Sequence, residues 1–181
     1  MDVEESFISH LVELRNRLVK SLLAVLAVFL CLVWWAKDLY ALLAKPLMKV
    51  LPQGGQMIAT DVVGVFLVPL KVTGWVALLI AMPYVLYQVW AFVAPGLYAH
   101  EKRWALPLLV ASCVLFVCGM VFAYVVFFPL MFGVMANFTP AGVAWMTDID
   151  KYFSFVMGMF LAFGATFEVP VVVVLLVGMG I

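Results

Sequence analysis

Charge is what this sequence holds least of. Ten acidic and ten basic side chains make up 11% of 181 residues, and they cancel to a net charge of +0. With no basic stripe, nothing in the chain suits nucleic acid as a partner. The three cysteines, Cys31, Cys113 and Cys118, are odd in number, lie inside apolar runs and show no Cys-x-x-Cys spacing. That excludes a disulfide framework and a thiolate metal site, and leaves small buried hydrophobes. His10 and His100 lack acidic or Cys neighbours at ligand spacing. A Gly-rich phosphate loop, a Ser/His/Asp order and paired acids are missing as well. No metal, no cofactor and no covalent catalysis are expected, and the chain does not read as an enzyme. No cleaved secretory leader is expected either: the chain starts with Asp2, Glu4 and Glu5, and no small-x-small site follows the first apolar run.

What the chain has is apolar surface. Hydrophobic residues are 68% of it, and the mean hydropathy is +1.22. About half apolar is usual for a soluble domain, so lipid must be the solvent for most of the chain. The pattern predicts an all-α, polytopic membrane protein, a single domain over 1–181. Residues 6–20 read as an amphipathic interfacial helix, with Phe7, Leu11, Leu14 and Leu18 on one face and His10, Glu13, Arg17 and Lys20 on the other. It runs directly into a first span at 18–36, roughly 28 Å of helix against a core of about 30 Å. Trp34 and Trp35 anchor the far end.

Residues 37–71 read as a structured cap of short interfacial helices, broken at Pro46 and Pro52, with a turn at Pro52-Gln53-Gly54-Gly55. Thr60-Asp61 would cap a second short helix over Val62–Leu67, ended or kinked by Pro69. The second span is 72–94, with a kink expected near Pro83 and Gln88 as its one amide. A short polar loop, 95–104, leads to a third span at 105–128, which should stop at Pro129. A second loop on the capped side, 129–151, carries Asp148 and Asp150, for which the sequence suggests no role. The fourth span, 152–181, is too long for the core unless Pro170 bends it, and Gly158 and Ala162 form a small-xxx-small patch on it. It is apolar to Ile181, with no polar tail, so the chain is expected to be a piece of a longer protein.

Three acids stand out. Glu168 is the costliest, since a carboxylate near mid-span costs about 2.5–3.5 kcal/mol on insertion scales. It would either hydrogen-bond backbone freed by Pro170 or face a water-filled concavity through which a substrate passes. Glu13 has an internal explanation in Arg17, four residues on, a pair worth ~0.2–0.5 kcal/mol. Glu101 is harder to explain away, because Lys102 and Arg103 are one and two residues along and poorly placed to pair with it on a helix. Positive charge does not orient the chain by count: Arg15, Arg17, Lys20, Lys102 and Arg103 lie on the N-terminal side, and Lys37, Lys45, Lys49, Lys71 and Lys151 on the other. All three arginines and the shorter loops are on the first side, which places the N-terminus in the cytoplasm.

Four motifs together resemble one family. They are His10-Leu-Val-Glu13-Leu-Arg15-Asn-Arg17-Leu; Pro52-Gln-Gly through Met57-Ile-Ala-Thr-Asp61; Tyr87-Gln-Val-Trp-Ala-Phe92-Val-Ala-Pro95-Gly-Leu97-Tyr98 leading to Glu101-Lys-Arg103; and Phe163-Gly through Phe167-Glu168-Val-Pro170. This set is similar to TatC, the polytopic core subunit of the twin-arginine protein translocase, and the resemblance spans the chain. It implies six spans with both termini in the cytoplasm, of which four are here, in the bacterial inner membrane. It also implies recognition of the Arg-Arg pair in signal peptides of folded export substrates, by Glu101 and the Glu13 region, with Arg15, Arg17, Leu97 and Arg103 beside them. Glu168, with Gln88, would line the concavity where the peptide inserts, and Asp61, Phe66 and the cap around Pro46 would support its far end. TatA- and TatB-type single-span subunits in an oligomeric complex, and membrane lipid, are the implied partners. The rival reading is a proton- or ion-coupled small-molecule transporter with Glu168 as the titrating group. It is weakened because no pair of broken helices repeats across two halves. A passive scaffold that only gathers partners is the third.

Overall fold

A computed structural model describes residues 2–51, 56–97 and 102–178, which form six α-helices. Four helical stretches are long and apolar enough to cross a membrane: Phe7–Met48, Gly64–Phe92, Leu106–Phe138 and Ile149–Val174. The first consists of α1 (Asp2–Leu32), a 3-10 turn (Val33–Trp35) and α2 (Ala36–Met48). No break sets residues 6–20 apart from the span, so a separate interfacial helix is not distinguished. No residue from Phe7 to Leu32 is buried within the chain. In water that would be ruinous. In lipid an apolar side chain has no water to escape, so α1 needs only its polar stripe satisfied. Cys31 and Cys118 are likewise exposed rather than buried, and all three cysteines are free.

Three prolines expected to break helices do not. α2 runs through Pro46, which withdraws the N–H that Leu42 O would accept; the Tyr124 hydroxyl donates to that carbonyl instead, at 2.8 Å. α3 (Gly64–Leu97) runs through Pro69, Pro83 and Pro95. α4 (Lys102–Phe122) leads through a π-turn (Ala123–Phe127) into α5 (Phe128–Phe138), so the third helical stretch passes Pro129. The Phe128 N–H bonds Ala123 O, five residues back, just before the proline. That wider turn makes room for a ring that would collide with the carbonyl four residues earlier. Tyr124 sits in the same turn, so the accommodation of one proline supplies the hydroxyl that satisfies the other. The Pro52–Gly55 turn lies outside the described residues.

α6 (Ile149–Gly178) packs along α4, and α1 packs along α3. The core lies at the capped end, where Leu43 and Leu47 of α2 meet Val68 and Val72 of α3, Phe128 and Phe132 of α5, and Val156, Met157 and Phe160 of α6. The buried Tyr152 hydroxyl donates to Leu43 O at 2.9 Å. The close helix crossing is not at the Gly158–Ala162 patch. Gly158 is exposed and a Cβ there would meet nothing within 4 Å, whereas Gly119 of α4 lies against the backbone at Phe163 and Gly164 of α6.

The cap is tied by two parallel two-residue strands, β1 (Met57–Ile58) and β2 (Thr147–Asp148). Here Asp148 acquires its role. One carboxylate oxygen accepts the Thr60 hydroxyl (2.6 Å) and N–H (3.0 Å); the other accepts the N–H groups of Asp150 (3.0 Å) and Lys151 (3.2 Å), which makes it the N-cap of α6. Asp150 pairs with Lys71 at 2.8 Å. The Thr60 hydroxyl, then the backbone N–H groups, hold the Asp148 carboxyl at about 2, below its ordinary 3.8. A pKa lowered by folding gives stability that is complete above about pH 4 and lost as pH falls through 4 towards 2. Thr60→Val removes the largest contributor. The variant should therefore lose stability most above about pH 4, pH 7 included, with its difference from the parent shrinking as pH falls towards 2; denaturant unfolding followed by tryptophan fluorescence at several pH values checks this.

Candidate functional site

The polar side chains of the spans gather around the C-terminal third of α3. Towards α1, Arg17 donates from Nε (2.9 Å) and one terminal nitrogen (2.7 Å) to the same Glu13 oxygen, Oε1. Its other terminal nitrogen donates to Gln88 Oε1 at 3.1 Å, and Gln88 Nε2 donates to the Tyr84 hydroxyl at 2.8 Å. Four residues further along α3, about one turn, His10 stacks on Phe92 with ring centroids 4.3 Å apart. The polar face of residues 6–20 is therefore turned onto the second span. An amide buried to 5% exposure is paid for by an arginine from a neighbouring helix.

Glu13 is thus not a lone carboxylate. The i,i+4 explanation from Arg17 holds, but both guanidinium bonds fall on Oε1. The Glu13 side chain keeps 38% of its surface, against 24% for Arg17. Arg15 is exposed. Glu101 lies outside the described residues, and Leu97 and Arg103 are placed only as helix termini of α3 and α4.

Towards α4 and α6, Trp90 Nε1 donates to Ser112 Oγ (3.4 Å), and Ser112 donates to Glu168 Oε2 (2.5 Å). Ser112 is fully buried, and Glu168 Oε1 is buried without a hydrogen-bond partner among the described residues. The partner of Glu168 is a serine, not backbone freed by Pro170. Sequence reasoning missed Ser112. The available signal was a lone hydroxyl midway along an apolar span, as much in need of a partner as the glutamate. Gln88 and Glu168 therefore belong to separate networks on different faces of α3. In the cap, Pro46 is buried and Phe66 is exposed; Asp61 takes the Gly64 N–H through its backbone carbonyl, at 3.2 Å. The carboxylate that caps a helix there is Asp148. No group of His, Cys, Asp and Glu able to hold a metal occurs among the described residues.

This sequence and this arrangement of helices have counterparts among known proteins. The family described as "Sec-independent protein translocase protein (TatC)" matches residues 9–181. The chain belongs to the TatC family. It is 56% identical to the Sec-independent protein translocase protein TatC of Escherichia coli strain K12, over all of this chain and 71% of that one. It is 48% identical to TatC of Haemophilus influenzae, with the same coverage. A chloroplastic relative from rice is 37% identical, over 99% of this chain and 49% of its own length. Among solved structures, a crystal structure of the twin-arginine translocase receptor TatC superposes with a TM-score of 0.82 at 37% identity, covering 92% of this chain and 74% of that one. TatC membership and the four apolar helices make this a multi-pass membrane protein of protein transport. The small-molecule transporter reading finds no counterpart in these similarities.

Proposed function

We propose that this chain is the receptor and core subunit of a twin-arginine translocase in a bacterial inner membrane, with its N-terminus cytoplasmic. It binds the Arg-Arg signal peptide of folded substrates and works in a complex with TatA- and TatB-type single-span subunits. The observation that supports it most is the state of Glu13. Its Oε1 is held by an arginine that is itself anchored to α3, while the side chain keeps over a third of its surface. A guanidinium fork docks on a carboxylate in a way a lysine cannot reproduce. Glu101 supplies the second carboxylate, with Arg15, Leu97 and Arg103 around it. Two charge-assisted contacts at ~1.5–3 kcal/mol each give about 3–6 kcal/mol, while micromolar binding needs about 8. The apolar part of the signal peptide must contribute the remainder along the spans, near Glu168, with the cap residues Pro46, Asp61 and Phe66 backing its far end.

The test is site-specific photocrosslinking of an Arg-Arg signal peptide to residues 98–101. Glu101→Ala should reduce the crosslink at least tenfold in a protein that still folds, and Glu13→Ala should weaken it less, because only one Glu13 oxygen is free of Arg17. Crosslinking undiminished in Glu101→Ala would overturn the reading.

A further inference from the structure

Arg17 places a guanidinium on the same carboxylate that a guest arginine would need. An arginine beside a carboxylate commonly forms a fork, with two parallel N–H bonds to the two oxygens. Arg17 does not. Its Nε (2.9 Å) and Nη2 (2.7 Å) both fall on Glu13 Oε1, while Nη1 turns away to Gln88 Oε1 at 3.1 Å. Glu13 Oε2 takes no hydrogen bond among the described residues.

The hold on Nη1 is firm because Gln88 can face it in only one way. A guanidinium donates and cannot accept, so the amide oxygen must point to Arg17. The amide nitrogen donates to the Tyr84 hydroxyl at 2.8 Å, one turn back along α3, and this fixes the orientation. Gln88 is 5% exposed, so water does not compete for its oxygen. One turn further on, the stack of His10 on Phe92 keeps α1 against α3. On the reading that Glu13 receives the signal peptide, we propose that Gln88 is a positioning residue of that site. By holding Arg17 Nη1 it stops Arg17 from forking across Glu13, and so keeps Oε2 open to an incoming guanidinium. Arg17 is then a tethered internal competitor. Without the Gln88 oxygen, Nη1 turns to Glu13 Oε2, and the guest must displace it.

The test is titration of the full chain in detergent with a fluorescent Arg-Arg signal peptide and its Lys-Lys counterpart, with thermal melting of every variant. Gln88→Met keeps the length of the side chain and removes its carbonyl; it should weaken Arg-Arg binding about tenfold. Gln88→Glu still accepts from Nη1 and should retain the parent affinity. Adding Arg17→Met to Gln88→Met should restore binding, because the competitor is gone, whereas a merely structural amide would leave the double variant as weak as the single one. Arg17→Met alone should bind no more weakly than the parent, which keeps the test open even if Gln88→Met fails to fold. Unchanged affinity in a folded Gln88→Met, a double variant that does not recover, Gln88→Glu as weak as Gln88→Met, or weakened binding by a folded Arg17→Met would each overturn the role of Gln88 and leave the receptor reading intact. A parent protein that binds the Lys-Lys peptide as tightly as the Arg-Arg one would overturn both.

Discussion

Gly119→Val should destabilise the protein by about 1–3 kcal/mol or more, and among core substitutions it should be one of the most damaging. A Cβ at this position would lie 2.6 Å from the Phe163 carbonyl oxygen and 3.1 Å from Gly164 Cα. Both are backbone atoms of α6, so relief requires the two helices to part along their whole contact. In a membrane no hydrophobic effect pushes helices together, and close van der Waals approach at small residues is what holds them. Gly164→Ala should be milder: its Cβ would meet the Phe116 ring, at 2.6 Å, and a side chain has some freedom to turn. Gly158→Ala, at an open position, should do nothing to stability. Thermal unfolding in detergent separates the three. A Gly119→Val protein that melts like the parent would show that α4 and α6 do not cross there.

Ser112→Val should cost about 1–3 kcal/mol, and the loss should be recovered in a double variant with Glu168→Leu. Ser112 is fully buried and is the only hydrogen-bond partner of Glu168 among the described residues; the second carboxyl oxygen already has none. Removing the hydroxyl therefore strands both oxygens in an apolar site. Replacing both partners by apolar groups removes the stranded group instead, and that is why the double variant should recover. Unfolding measurements on the two single variants and the pair give the coupling directly. A Ser112→Val protein as stable as the parent would mean that Glu168 is satisfied by something other than this serine.

Both results concern positions that a linear reading passes over, and the reason is physical. Composition and run length settle which solvent surrounds a chain, because burying this much apolar surface internally is impossible at 181 residues. The all-α, multi-pass architecture was therefore legible, as were Glu168 as an expensive residue and the Glu13–Arg17 pair, whose spacing is local. The proline breaks at Pro46 and Pro129 were misread for a tertiary reason. The carbonyl that Pro46 leaves unpaired is satisfied by Tyr124, 82 positions away, and Pro129 is accommodated by a π-turn that no local propensity announces.

The same holds for Asp148, whose four donors come from two segments brought together by a two-residue strand pair. It holds for Ser112, whose importance exists only once α4 lies beside α6. By itself the sequence determined the solvent, the helices and the residues too polar to sit in lipid unaided. Only the tertiary structure decided which polar groups satisfy which. A hydrogen bond between helices depends on how far apart and at what rotation they cross, and no periodicity in one helix records the position of another.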